Sequence, residues 1–60
     1  MAIDLDVARA ARNLITEHGT AAEGIALARA KNAAENNRPA AAHLWRNIAA
    51  AVRGMQGRPD

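Results

Sequence analysis

Residues 39–55 read PAAAHLWRNIAAAVRGM and carry the clearest amphipathic pattern in the chain, with Trp45 as the only aromatic residue. At about 100° per residue, six apolar side chains of this stretch fall on one stripe of a helix. They are Ala41, Leu44, Trp45, Ile48, Val52 and Met55. The opposite side carries polar residues such as His43, Arg46 and Arg53. The stretch therefore predicts a helix that buries one face against the rest of the chain.

Two more helices are predicted upstream from their end signals. Asp4 has the residue type of an N-cap, which predicts a first helix over 4–18, and Gly19 suits the left-handed conformation that often ends a helix. Thr20 and Glu23 match the capping box, in which each side chain bonds the backbone N–H of the other residue. A second helix is therefore expected to begin at once. His18 falls on the apolar face of the first helix and is interpreted as a core or capping residue.

The second predicted helix, 20–36, is rich in alanine and has two apolar sides. Ile25 lies on one side and Leu27 on nearly the opposite side, which suggests two sets of neighbours. Pro39 suits the first turn of the next helix, because proline lacks an N–H that would be unpaired there anyway. We expect one all-α domain over 1–60, folded as a small three-helix bundle of 4–18, 20–36 and 39–55 with a frayed tail at 56–60.

The composition limits how much core one chain can build. Half of the 60 residues are hydrophobic, but 17 of these are alanine, so few large side chains are left to fill an interior. A chain of this size is also near the limit at which a domain folds alone. Both observations favour self-association, in which dimerisation completes the bundle.

Catalytic and ligand-binding classes with recognisable motifs are not supported. The chain has no Cys, no Ser and no glycine-rich phosphate loop, so we expect no enzyme activity and no cofactor. We also expect no metal, because neither His18 nor His43 has a partner at metal-binding spacing. The formal net charge is only +2, and the basic residues are spread along the chain, whereas nucleic-acid binders usually cluster them.

The sequence favours a cytoplasmic protein without a membrane partner. No apolar run approaches the length that spans a bilayer, which is roughly 18 residues. The residues after Met1 lack the basic region and the apolar core of a signal peptide.

Trp45 is expected to have a structural role, a binding role, or both. It is the one large side chain available to fill the space left by the alanines. It is also an aromatic residue beside small residues and arginines, a composition typical of an interface anchor. The candidate interface residues are Trp45, Ala42, Ala49, Arg46, Arg53 and Leu27.

Three functional hypotheses follow from the pattern. The leading one is a non-enzymatic helical module that self-associates as a homodimer, through helix two and the Trp45 edge of helix three. The second is an adaptor or inhibitor that docks on a larger protein assembly. The third is a small nucleic-acid-associated regulator in which Arg46 and Arg53 contact phosphates, with binding that weakens steeply as salt rises.

Spaced apolar and small residues also carry a family resemblance. They are Asp6-Val7, Ala11, Leu14-Ile15, His18-Gly19, Ala22, Trp45, Ile48 and Ala51-Val52. The pattern resembles that of short, uncharacterised proteins of alphaproteobacteria, known only as a domain of unknown function. Those proteins tend to carry Gly-Asp before the last helix, where this chain has Asn36-Asn37-Arg38-Pro39. The resemblance implies a bacterial, cytoplasmic, helical protein and implies no activity.

Overall fold

A computed structural model describes the backbone of residues 3–57 and the side chains of residues 6–57. Three α-helices follow one another along the chain: α1 is Ile3–His18, α2 is Ala22–Glu35 and α3 is Pro39–Gln56. A 3-10 turn, Gly19–Ala21, joins α1 to α2. Residues 3–57 contain no strand, so the all-α class is confirmed.

The junction between α1 and α2 differs from the predicted capping box. Gly19 has a φ of +59°, as the sequence predicts, but the chain then enters the 3-10 turn directly. The N-cap of α2 is Ala21, and no side chain caps it, so Thr20 and Glu23 do not form the box. The physical reason is that the 3-10 turn, in which the Ala22 N–H donates to the Gly19 carbonyl, moves the N-cap to Ala21, so that Thr20 and Glu23 no longer occupy the N-cap and N3 positions that the box requires.

The junction between α2 and α3 is short, since α2 ends at Glu35 and α3 begins at Pro39. Asn37 adopts a φ of +59° just after the C-cap Asn36. The Arg38 N–H donates to the Ala33 carbonyl over 2.9 Å and the Asn37 N–H to the Ala34 carbonyl over 3.2 Å, which together form a Schellman motif. Pro39 follows at the first position of α3, as expected.

The first two helices form one bent arm, and α3 packs against it. Contacts of α3 with α2 are the most extensive, those with α1 come next, and α1 meets α2 only weakly. The shortest dimension of the molecule is 18 Å, which suits two layers of helices. The chain therefore does not form the predicted three-helix bundle, in which each helix would pack along both of the others.

The buried core consists mainly of alanine. Its residues are Ala11, Leu14, Ala22, Ala26, Ala30, Ala33, Ala42, Ile48, Ala49 and Val52. Alanines on both sides of a helix contact let the two backbones approach closely, because the distance between helix axes depends on side-chain size. The weak hydrophobic signal of α2 is thus compatible with a well-buried helix.

The buried stripe of α3 is rotated from the predicted one. Leu44 and Met55 were expected inside, but they are 46% and 38% exposed. Ala42 and Ala49 are buried in their place, next to Ile48. Since α3 faces the alanine-rich α2 over much of its length, small residues fit this contact better than large ones.

Two other predictions of burial were wrong. Helix α2 has one buried stripe, which includes Ala22, Ala26 and Ala30, whereas Leu27 on the second expected side is 48% exposed. The core role expected for His18 is also wrong, because the side chain is exposed, with its Nε2 3.8 Å from a carboxylate oxygen of Glu17. His18 does lie in the last turn of α1, where the alternative capping role would place it. Asp4 lies inside the first turn of α1 rather than before it, and its side chain is outside the described residues.

Candidate protein-binding groove

An open groove runs between α2 and α3 at the N-terminal half of α3. Its volume is about 730 Å³, which falls within the range of roughly 300–1,000 Å³ typical of ligand sites. We call it the α2–α3 groove. It is lined by Ile25, Ala28, Arg29, Asn32, Ala33, Asn36, Arg38, Ala41 and Trp45. Five of the lining residues lie on α2 at intervals of three or four positions, so the groove follows that helix: Ile25, Ala28, Arg29, Asn32 and Ala33.

Trp45 forms the aromatic wall of the groove. The ring is partly buried and packs against the core cluster that contains Ile48 and Val52. The guanidinium carbon of Arg29 lies 5.1 Å from the ring centroid, a distance at which a cation attracts the face of an indole. Trp45 thus has its structural role at one edge and is still open to a ligand at the other.

The charge of the groove is one-sided. Among the residues that the structure describes, Arg29 and Arg38 are the charged ones that line it, and both are exposed. The neighbouring amide of Asn36 is engaged, because its Nδ2 donates to the Asn32 carbonyl over 2.8 Å and to Asn32 Oδ1 over 2.6 Å. The α2–α3 groove therefore combines an apolar wall with two cationic groups and offers no carboxylate.

The predicted interface residues are not brought together on one surface. Only Trp45 lines the α2–α3 groove. Ala42 and Ala49 are 4% and 3% exposed, so the fold of the chain itself already uses them. Leu27 lies two positions from Ile25, or about 160° round α2, and so faces away from the groove.

The two arginines predicted for the interface lie elsewhere on α3. Arg46 and Arg53 are exposed and share a face, about 80° to 100° round the helix from Trp45. Arg46 lines a smaller depression of about 300 Å³, together with His43 and Pro39. The arginine that reaches Trp45 is Arg29, a residue that the sequence analysis left among the scattered basic residues.

Only a short pattern in the sequence of α2 could have indicated the groove. Ile25 and Arg29 are spaced i, i+4 on α2, and Asn32 and Asn36 repeat the same spacing one turn later. That row predicts a mixed apolar and polar face. It does not predict which side of α3 the row will meet, and the pairing of Arg29 with Trp45 depends on that.

The described residues contain neither a metal cluster nor a membrane-spanning helix. Residues 6–57 contain no group of three or more His, Asp or Glu side chains that could hold a metal ion. Within the described chain, no helix combines the length and the apolar character that crossing a membrane requires. No protein-family model, no curated protein and no solved structure matches the chain, so the resemblance to the alphaproteobacterial proteins stays a prediction.

Proposed function

We propose that this chain is a small, non-enzymatic protein-interaction module that binds a segment of another protein in the α2–α3 groove. The observation that carries the proposal is the placement of Trp45, a partly buried indole at the wall of an open groove with Arg29 over its ring. Trp and Arg are the residues most enriched among those that dominate binding energy at protein interfaces. Such a module corresponds to an adaptor or inhibitor that docks on a larger assembly.

The shape of the groove favours a peptide segment over a compact small molecule. Along α2 the groove extends from Ile25 to Asn36, eleven residues at about 1.5 Å each, or roughly 16 Å. It is open to solvent rather than enclosed, whereas sites for small molecules bury most of the ligand surface. About three turns of a helix have the length to fill it.

The experiment that tests the proposal is a selection of helical peptides from a display library. We expect the selected peptides to bind the native chain and to lose most of their affinity for Trp45→Ala, because that change removes the aromatic wall. Circular dichroism would show whether this variant keeps its helices. Retained binding to a folded Trp45→Ala chain would count against the proposal.

A matched pair of variants avoids the risk that Trp45→Ala perturbs the core. Ala28 and Ala34 are both exposed alanines of α2, but Ala28 lines the α2–α3 groove and Ala34 does not. Glutamine at either position keeps helix propensity high. We expect Ala28→Gln to weaken peptide binding at least fivefold and Ala34→Gln to leave it unchanged. The reverse order would place the binding site outside the groove.

Self-association is a second candidate, favoured by the outer face of α3. Leu44 and Met55 are exposed there, and their eleven-residue spacing puts them within about 20° of each other round the helix. A second copy packed on this face would complete a helical bundle as a homodimer. Sedimentation equilibrium of the native chain and of a Leu44→Gln, Met55→Gln variant tests this. The candidate is rejected if the native chain stays at one chain mass at millimolar concentration.

The cellular setting forms part of the same proposal. The resemblance to alphaproteobacterial proteins supports a bacterial cytoplasm as the place where the module works. Fractionation of cells that express a tagged chain would test it, and recovery in another compartment would remove that part of the proposal.

A further inference from the structure

We infer that the segment bound in the α2–α3 groove is an acidic amphipathic helix, with apolar side chains toward Trp45 and two carboxylates toward Arg29 and Arg38. The inference rests on the proposed function and specifies the chemistry of the partner. Among the described residues, the groove carries two cations and no carboxylate, so an acidic helix would complement its charge.

The two arginines are available for a partner. In the part of the chain from residue 6 to residue 57, neither guanidinium lies within salt-bridge distance of a carboxylate, and the one basic side chain that does is His18, next to Glu17. Among the charged and aromatic groups of residues 6–57, Arg29 contacts only the face of the Trp45 ring. In such a contact the N–H donors at the edge of the guanidinium stay free. A carboxylate could accept from that edge while the stack stays in place.

The positions of the two arginines set the spacing of the carboxylates. Arg29 lies near the middle of α2, whereas Arg38 follows Asn36 beyond its C-terminal end. The rise from Arg29 to Asn36 is about 10 Å, which is two helical turns. A bound helix that runs along α2 would thus present Asp or Glu at positions i and i+7, one for each arginine.

The apolar part of the lining sets the apolar positions. Besides Trp45 it consists of Ile25, Ala28, Ala33 and Ala41, which are mostly small side chains. Small walls let the backbone of a bound helix come close, and leave room for larger side chains from the partner. Leucine or methionine at i+3 and i+4 would then lie between the two carboxylates and contact the indole.

Nucleic acid fits this groove less well than an acidic helix does. One face of the Trp45 ring is already covered by Arg29, so that face cannot stack on a base. The remaining lining consists of four aliphatic side chains and two asparagines, and two cations make few phosphate contacts. The acidic helix uses both the charge and the apolar wall, whereas a nucleic acid would use only the charge.

The test uses three synthetic helical peptides of the same length and the same leucine positions, without aromatic residues. They differ only at i and i+7, where they carry Glu, Gln or Lys. Trp45 is the only aromatic residue of the chain, so a change in its fluorescence reports binding without a label. We expect the Glu peptide to bind about five- to twentyfold more tightly than the Gln peptide and the Lys peptide to bind most weakly, with differences that shrink as salt rises.

Variants of the chain assign the preference to the two arginines. We expect Arg29→Gln and Arg38→Gln each to weaken the Glu peptide about two- to fivefold and to change the Gln peptide little. Arg53→Gln is the matched control, because Arg53 is an exposed arginine that does not line the groove. Calorimetry would replace fluorescence for Arg29→Gln, since that change alters the surroundings of the indole.

The outcomes separate the partner chemistry from the proposed function. Equal affinity for the Glu and Gln peptides would overturn the inference, while Trp45-dependent binding of both would leave the groove as a protein-binding site. Absence of binding by all three peptides would also overturn it, and the unbiased library selection would then decide the proposed function. Tighter, Arg29-dependent binding of single-stranded DNA than of the Glu peptide would replace the acidic helix with a nucleic acid.

Discussion

Val52→Ala is the substitution whose effect can be worked out most directly from the structure. Val52 is 0% exposed and is the largest side chain that is fully buried. The change removes two carbon atoms, which costs about 1.6 kcal/mol of transfer free energy at roughly 0.8 kcal/mol per methylene. The cavity left behind adds to this cost, and the higher helix propensity of alanine offsets about 0.5 kcal/mol of it. The expected loss of unfolding free energy is about 2 kcal/mol.

That loss is large for a chain of this size. A domain of 60–100 residues shifts its melting temperature by about 4–8 °C for each kcal/mol, so Val52→Ala should lower it by about 8–16 °C. Thermal unfolding followed by circular dichroism at 222 nm measures the shift directly. Urea unfolding at fixed temperature gives the free energy and shows from the m-value whether the transition stays cooperative.

Leu44→Ala is the matched control on the same helix. It removes three carbon atoms, one more than Val52→Ala, but Leu44 is 46% exposed. We therefore expect a loss of less than about 1 kcal/mol. If Leu44→Ala destabilises the chain more than Val52→Ala does, the assignment of the buried face of α3 is wrong. If its effect grows with protein concentration, Leu44 is covered by a second copy.

Three further predictions concern the junctions and the alanine core. Gly19→Ala should cost about 1 kcal/mol in urea unfolding, because a residue with a Cβ is strained at a φ of +59°. Gly24→Ala, in the first turn of α2, should instead stabilise the chain by up to about 0.5 kcal/mol in the same assay. Ala26→Leu should lower the free energy of unfolding by about 1–3 kcal/mol, because the added atoms overpack the core. Ala28→Leu, at an exposed position, should be nearly neutral in the same urea unfolding assay, and equal effects of the two changes would contradict the burial pattern. Gln56→Ala should speed the hydrogen exchange of backbone amides at the end of α3, because Gln56 Nε2 donates to the Gly19 carbonyl over 2.8 Å. Unchanged exchange would show that this hydrogen bond does not hold the helix end in solution.

Two of the helix ends were predictable from single residues. Gly19 and Pro39 each have a backbone preference that acts locally, so the residue type suffices to place a left-handed residue or a helix start. The capping box of Thr20 and Glu23 was also a local signal, but the chain forms a 3-10 turn there, which makes Ala21 the N-cap of α2. Local rules identify which residues can begin or end a helix and do not decide between two ways of joining one helix to the next.

The buried faces were less predictable because alanine carries little hydrophobic signal. In α3 the sequence pattern favours Leu44 and Met55 over Ala42 and Ala49, yet the alanines are buried. In α3 the buried side chains are those small enough to fit against the neighbouring helix, and hydrophobicity alone does not identify them. The α2–α3 groove was out of reach for the same reason, since the contact of Arg29 with Trp45 requires the relative rotation of two helices.

The weak contact of α1 with α2 has a consequence for how the chain opens. Because α2 and α3 make the most extensive contact, they form a helical hairpin, and the α1 part of the bent arm is attached to this hairpin mainly through α3. Side chains of alanine lose no rotamer entropy on burial, so the hairpin is ordered at little entropic cost. Partial opening should therefore release α1 as a unit and leave the hairpin, with the groove, intact.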